Sequence, residues 1–359
     1  MNLRGEITGI KYSPFLGGSL LTYEASDMGM ALENATSFVL SFPRGEKLAA
    51  SWWVSPKRTR SYPYARVYDT LLFQGKKITI IPILKDEGAD GDRDFLQWDT
   101  ISLMSLFGVY VIISYYCSAE KNKQYSNKIT KQRFDVEHIK TELTEILSYQ
   151  SDALHWNLSQ SEKVGDIGIM ALRYYENLSK QLGVKMKSAG KALARITSIT
   201  KNRQCFMEVS RKLASQAQNR EVQAIQPKER LSGNKASLTI TNYLGGNYYL
   251  TCDEARVENR EIVIVESKHS QNAMLPSLAD IKDALIKMML FANLQKITLD
   301  NKSFSPRPVL KLTTNKEFTP NLLSRSKREK FDLLLQEANA NKFQLMVNEK
   351  IYRIQKVNP

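Results

Sequence analysis

The sequence predicts a mixed α/β (α+β) protein in three parts: a strand-rich α/β N-terminal domain over 1–130, a basic helical region over 131–220 and a C-terminal α/β unit over 221–359. Three observations predict it. β-Branched and aromatic residues crowd the first 130 positions, apolar residues fall at helical spacing from Asp135 onward, and strand and helix patterns alternate after residue 235. The chain has 359 residues, 42% hydrophobic and 25% charged, which is inside the globular range and long enough for two or three domains. That composition excludes a disordered tail protein, a collagen and a coiled-coil rod.

In the N-terminal part, strands are expected near 5–12, 64–73, 77–84 and 109–116, with a helix near 95–106. The apolar run Ile101 to Tyr116 is broken by Ser102, Ser105, Gly108 and Ser114 and is shorter than the about 20 residues a membrane span needs. It therefore reads as a buried helix followed by a buried strand, and no membrane partner is expected. Ile139, Leu143, Ile146 and Leu147 begin the helical part, which continues with helices near 167–182, 188–199 and 204–218. The segment Glu221 to Asn234, with Pro227 and Gly233, reads as the linker into the last unit.

That unit is expected to run strand (236–243), Gly245-Gly246 turn, strand (247–252), reversal at Asn259-Arg260, strand (261–267), helix (277–294), strand (308–313), helix (322–339) and two terminal strands. Leu278, Ile281, Leu285, Met288 and Ala292 form one stripe of the helix that follows Pro276, and Ser277 with Asp280 can cap it.

The charge is strongly positive, 51 Lys+Arg against 37 Asp+Glu. Between Leu172 and Lys235 fourteen basic residues face only Glu176, Glu208, Glu221 and Glu229, so under a fifth of the chain holds most of the excess. Such clustering is the footprint of phosphate-backbone contact, although a solvated helical face would carry the same composition. Lys185, Lys187, Lys191, Arg195, Arg203, Arg211 and Lys212 are the candidate backbone contacts here. A second basic stretch, without any acid, interleaves Trp52, Trp53, Tyr62, Tyr64 and Tyr68 with Lys57, Arg58, Arg60 and Arg66. Aromatic faces beside guanidinium groups suit a polyanion, and core aromatics at a hairpin edge would look alike.

Cys117, Cys205 and Cys252 are too few and too far apart for a disulfide framework or a four-cysteine zinc site. Met1 to Tyr12 carries Arg4, Glu6 and Lys11 and no apolar h-region, so a cytoplasmic protein is expected.

The sharpest constellation is Asp253, then Glu266-Ser267-Lys268 at the end of Ile262-Val263-Ile264-Val265. Glu266 and Lys268 fall on one face of a strand by period-2 alternation, and Asp253 ends the preceding antiparallel strand. Two carboxylates and an ammonium thus converge at one sheet edge. Bare carboxylates repel a phosphate backbone, and in a basic protein a divalent cation with hard oxygen ligands, Mg²⁺, reconciles the two.

These residues resemble the active site of the PD-(D/E)xK nuclease superfamily, over roughly residues 204–313. Cys252 stands where the family pattern has Pro. The resemblance implies a restriction-endonuclease-like mixed-sheet core at the C-terminal end, in helix, strand, strand, strand, helix, strand order. It further implies Mg²⁺ held by Asp253, Glu266 and the Ser267 backbone carbonyl, with Lys268 positioning or helping to deprotonate the attacking water. A Glu from the preceding helix often joins such a site, and Glu208 and Glu221 are both candidates. A short Glu-x-Lys on a strand can also be a surface ion pair of little consequence. Here it follows four apolar residues and has an Asp at family-like spacing.

Other motifs are weaker. Asp69, a Gln74-Gly75 turn and the strand Ile78 to Leu84 echo the same pattern, but Ile83 occupies the carboxylate position. The acidic run Asp86, Glu87, Asp90, Asp92 and Asp94 fails the EF-hand spacing and reads as a solvated loop. His138 and His155 read as structural, while His269 is placed to touch a phosphate. The sequence holds no P-loop, no G-x-G-x-x-G after a strand and no G-x-S-x-G, so an ATP-driven motor, a dehydrogenase and a serine hydrolase have no support.

The resulting expectation is a Mg²⁺-dependent endonuclease acting on double-stranded DNA and leaving a 5′ phosphate. A type II restriction enzyme, working as a homodimer beside a cognate DNA methyltransferase of a restriction-modification pair, fits best. A structure-directed repair or mobile-element nuclease and a non-catalytic nucleic-acid-binding protein are the alternatives.

Overall fold

A computed structural model describes residues 1–200, 203–223 and 234–354, and the protein is mixed α/β. The chain divides into two compact units rather than three parts: Met1–Gly18 with Lys212–Pro359, and Ser19–Arg211. Lys228, Arg230 and most of the Glu221 to Asn234 linker lie outside the described residues, as does Lys201.

The first strand is β1 (Asn2–Ile7), which ends well before the expected residue 12. In Ser19–Arg211 there follow β2 (Thr22–Glu24), α1 (Met28–Asn34), β3 (Ser37–Ser41), β4 (Lys47–Trp52), α2 (Pro63–Thr70) and β5 (Lys77–Pro82). Next come β6 (Leu84–Asp86), β7 (Arg93–Phe95), α3 (Trp98–Leu106), β8 (Val109–Ser114), β9 (Tyr116–Lys121) and β10 (Ile129–Phe134). Helices α4 (Val136–Ser148), α5 (Ala153–Glu162), α6 (Val164–Leu182), α7 (Ala189–Thr200) and α8 (Arg203–Gln223) complete this stretch, and the boundary between the units falls inside α8.

The sheet of this unit has the order β2-β3-β4-β5-β8, parallel at every pairing except β3–β4. Strands β5 and β8 are buried along Ile78 to Ile81 and Val109 to Ile113, with Thr79 the polar residue of these runs, as parallel strands covered on both faces are. Ile139, Leu143 and Ile146 of α4 and Trp156 of α5 pack in one core with Leu40, Ala50, Ile78 and Ile112. These helices are therefore a layer on the first sheet, which is why 131–220 is not a separate domain. Residues 64–73, expected as a strand, are largely helix α2: Pro63 sits at its first turn, and Tyr64, Ala65, Val67 and Tyr68 are buried at helical spacing. Asp69 consequently lies on a helix, and the hairpin that the earlier echo of the motif requires is absent there.

The second unit continues with β11 (Asn234–Asn242), β12 (Asn247–Glu258), β13 (Glu261–Ser270), α9 (Leu278–Ala292), β14 (Ile297–Leu299) and β15 (Lys302–Thr314). It ends with α10 (Arg325–Ala340), β16 (Gln344–Val347) and β17 (Lys350–Tyr352). Both reversals use left-handed backbone, at Gly245 (φ 75°) and Asn259 (φ 55°). β12 is antiparallel to β11 and β13, β13 is parallel to β15, and β15 is parallel to β16. The chain's first strand also belongs here: β1 pairs parallel with β11 and antiparallel with β14. That non-local pairing carries residues 1–18 out of the expected N-terminal domain.

Helix α9 begins as predicted, with Ser277 as N-cap: its hydroxyl accepts from the Asp280 amide at 3.1 Å. Ile281, Leu285 and Met288 of the predicted stripe are buried. The segment after β1 is pinned to α10 by one fully buried carboxylate. Glu337 accepts from the Tyr12 hydroxyl (2.7 Å) and from the amides of Phe15 (2.9 Å) and Leu16 (3.1 Å). Among the described residues, no helix is long and apolar enough to cross a membrane.

Candidate active site

The site forms where β12 and β13 part. Their antiparallel register runs from Glu258–Glu261 to Glu254–Val265 and stops. β12 is irregular at this point, since Ala236 of β11 pairs with Cys252 while Asn234 pairs with Ala255, a shift of one residue. The Ser267 amide, left without a ladder partner on that edge, donates to Asp253 Oδ2 at 2.8 Å. The amide and carbonyl of a strand residue point to the same edge, so the Ser267 carbonyl faces the same opening as Asp253. On its other edge β13 stays paired with β15, Glu266 beside Leu310 and Lys268 beside Leu312.

Glu266 is almost fully buried, and both of its oxygens meet ammonium groups: Oε1 lies 3.3 Å from Lys268 Nζ and Oε2 accepts from Lys287 Nζ at 2.8 Å. Lys268 donates also to Asp283 Oδ2 at 3.1 Å. Asp283 and Lys287 are one helical turn apart on α9, so the helix closes the cluster from the face opposite the sheet. Burial opposes the charge of both lysines. For Lys268 the carboxylates of Glu266, Asp283 and Asp253 outweigh it and raise the pKa above the usual lysine range. Glu266 and Asp253 do the same for Lys287 against the repulsion of Lys268. Both ammonium groups are therefore held protonated at neutral pH.

The three predicted residues Asp253, Glu266 and Lys268 are thus brought together. Of the two further carboxylates, Glu221 of α8 accepts from the Thr251 hydroxyl at 2.6 Å, two residues before Asp253. Glu208 belongs to the other unit and accepts from Gln204. Neither Lys287 nor Asp283 was singled out by the sequence. Their one signal there is an opposite-charge pair at i,i+4 in the helix that follows the motif, which also carries Asp280 and Lys282. His269 points to the opposite face from Lys268 and meets the Thr313 hydroxyl at 2.9 Å through Nδ1.

Asp253, Glu266 and the Ser267 carbonyl offer hard oxygen donors at an open strand edge. Such a set fits Mg²⁺, which takes one or two carboxylates and fills its remaining positions with water and phosphate oxygens. Among the described residues, no group of three or more His, Cys, Asp or Glu side chains is placed to hold a metal, so any ion here depends on the backbone carbonyl, water and substrate.

The basic residues singled out earlier are dispersed over Ser19–Arg211, apart from Lys212. Lys57, Lys185 and Lys191 are exposed, as is Lys212; Arg58, Lys187 and Arg211 are half-buried. Arg195 lies 5.8 Å over the Phe95 ring. Arg203 opens α8. Arg60 is held by Glu87, Asp92 and Asp94, and Asp86 by Arg93. The acidic run expected as a solvated loop is therefore an ion-pair network, with Asp86 buried and Glu87 also meeting Lys85 and Lys128. In the Trp52 to Tyr68 stretch, Trp53, Tyr64 and Tyr68 are core residues, and Trp52 is covered by Arg66 at 4.5 Å, leaving Tyr62 as its exposed aromatic. No family model, curated protein or solved structure matches the chain.

Proposed function

We propose that the chain is a Mg²⁺-dependent endonuclease that hydrolyses phosphodiester bonds in double-stranded DNA, in the manner of a type II restriction enzyme. The observation that carries this reading is the convergence of Asp253, Glu266 and Lys268 on the edge opened where β12 and β13 part, with Asp253 fixed by the Ser267 amide. The order α8, β11, β12, β13, α9, β15 supports it, with β14 added as a short hairpin arm before β15.

Asp253, Glu266 and the Ser267 carbonyl would hold Mg²⁺, which supplies Lewis-acid polarisation of the phosphoryl group and a water acidic enough to attack at neutral pH. The protein's own groups do the rest. Lys268, kept protonated by its carboxylate neighbours, is suited to hold a phosphate oxygen and orient the water rather than to accept a proton. Lys287 fixes the Glu266 carboxylate from α9, so the carboxylate is oriented before substrate arrives. The basic excess of the chain favours a polyanionic substrate, and a second copy would cut the other strand of a palindromic site. A cognate DNA methyltransferase would protect such sites in the host.

The test is incubation of the purified chain with a long unmethylated DNA of known sequence, in Mg²⁺ and in EDTA. Discrete metal-dependent fragments are expected. A metal-dependent smear would replace sequence recognition by structure recognition, and no cleavage of any substrate, methylated DNA included, would remove the enzyme reading.

A further inference from the structure

A pocket of about 360 Å³ opens beside the ion-pair cluster, within the roughly 300–1,000 Å³ range of small organic ligands. Its position follows from how α9 returns along β13. Glu266 meets Lys287, two residues further along the strand Lys268 meets Asp283, and the next residue on that face, Ser270, lines the pocket with Leu278 and Ile281. Each step forward on the strand is thus a step back along the helix, and the pocket occupies the next step. Its other wall is Leu16 with Phe331 and Leu334 of α10, and exposed Lys327 and Lys330 stand at its rim.

The walls are fixed in advance. Glu337 anchors Leu16, the Ser270 hydroxyl accepts from the Ala273 amide at 3.0 Å, and the Thr314 hydroxyl donates to the Ala273 carbonyl at 2.6 Å. A preformed apolar cavity with two cations at its mouth suits a group that is flat and apolar in its body and anionic at its edge. Next to a scissile phosphate, a nucleotide is that group, its base in the cavity and its flanking phosphate near the lysines.

We infer that this pocket receives a nucleobase adjacent to the scissile phosphate, so that the cleaved strand is bound with one base turned out of its stack. The inference rests on the nuclease reading and deepens it, because a base held in a duplex stack cannot enter a side pocket. The cleaved duplex then has one base extruded beside the cut, and a strand whose base is already unpaired enters the pocket at lower cost.

The experiment is equilibrium binding of the full chain, in EDTA, to a twelve-nucleotide oligothymidylate and to an abasic phosphodiester of equal length and charge. The bases should strengthen binding about tenfold, the scale of one base contact. Leu278→Trp, which fills the cavity from a half-buried position, should bring the oligothymidylate down to the abasic affinity and leave the abasic affinity unchanged. The exposed pair Lys327→Glu with Lys330→Glu should weaken both ligands without threatening the fold. Equal affinity for the two ligands, or a base preference that survives Leu278→Trp in the folded variant, overturns the inference. Wild-type cleavage of long DNA in Mg²⁺ separates the two readings. Cleavage without base preference keeps the nuclease and removes the base pocket, whereas base preference abolished by Leu278→Trp without cleavage keeps the pocket and removes the nuclease.

Discussion

Lys287 of α9 donates to Glu266 Oε2 at 2.8 Å; the carboxylate is almost completely withdrawn from water, and the lysine side chain keeps 16% of its surface exposed. A buried ion pair contributes little net stability when intact, but loss of one partner strands the other's charge. Lys287→Met should therefore destabilise the unit by about 3 kcal/mol, at the low end for such a pair because Lys268 still neutralises Glu266. Adding Glu266→Gln should recover most of that loss. Urea unfolding of the single and double variants measures both, and additive losses would contradict the pairing.

Asp253→Asn keeps an acceptor for the Ser267 amide and removes a charge, so the fold should persist while the oxygen set for a divalent ion weakens. Calorimetric titration with Mg²⁺ should show affinity at least about tenfold lower than wild type, with the unfolding midpoint nearly unchanged. Unaltered Mg²⁺ affinity would remove Asp253 from the metal site.

Glu337 ties residues 12–16 to α10, and Glu337→Ala leaves the Phe15 and Leu16 amides and the Tyr12 hydroxyl without their acceptor. A cost of about 3 kcal/mol is expected, with faster amide exchange at Phe15 and Leu16 than elsewhere in the unit. Exchange rates equal to wild type at those two amides would show that other contacts hold the segment.

In the first-sheet unit, burial raises the Glu87 pKa, but Lys85 and Arg60 together with the Asp92 amide outweigh it and leave the carboxyl below its ordinary value. A depressed folded-state pKa contributes stability that is present above the unfolded value near about 4.3 and is lost as the pH falls through the folded value. Glu87→Gln should cost about 1 kcal/mol at pH 7 after allowing for solvent screening, and the difference from wild type should shrink below about pH 4. A difference constant from pH 7 to pH 3 would contradict the ion network.

Much of the candidate site was legible because it is local. Glu266 and Lys268 share a strand face by alternation, and Asp253 lies one hairpin away, so period and turn chemistry suffice to bring them together. Lys287 and Asp283 were not legible, since their place depends on how α9 folds back over β13, a tertiary fact. The same holds for β1, whose partner β11 lies more than 200 residues away. In α2, aromatic and β-branched residues point to a strand, but Pro63 at the helix start and burial at helical spacing prevail. The Arg60 network reversed the expectation for its loop because ion pairing between distant segments leaves no periodic pattern.

The proposed function requires Lys268, Glu266 and Asp253 to be a catalytic constellation rather than a structural ion-pair cluster. The most direct measurement is DNA cleavage in Mg²⁺ by Lys268→Ala, alongside DNA binding in EDTA. Cleavage should fall about 100-fold or more with affinity within about threefold of wild type, since the role proposed for the lysine is at the reacting phosphate and Lys287 still holds Glu266. Cleavage at the wild-type rate by the folded variant would contradict that role.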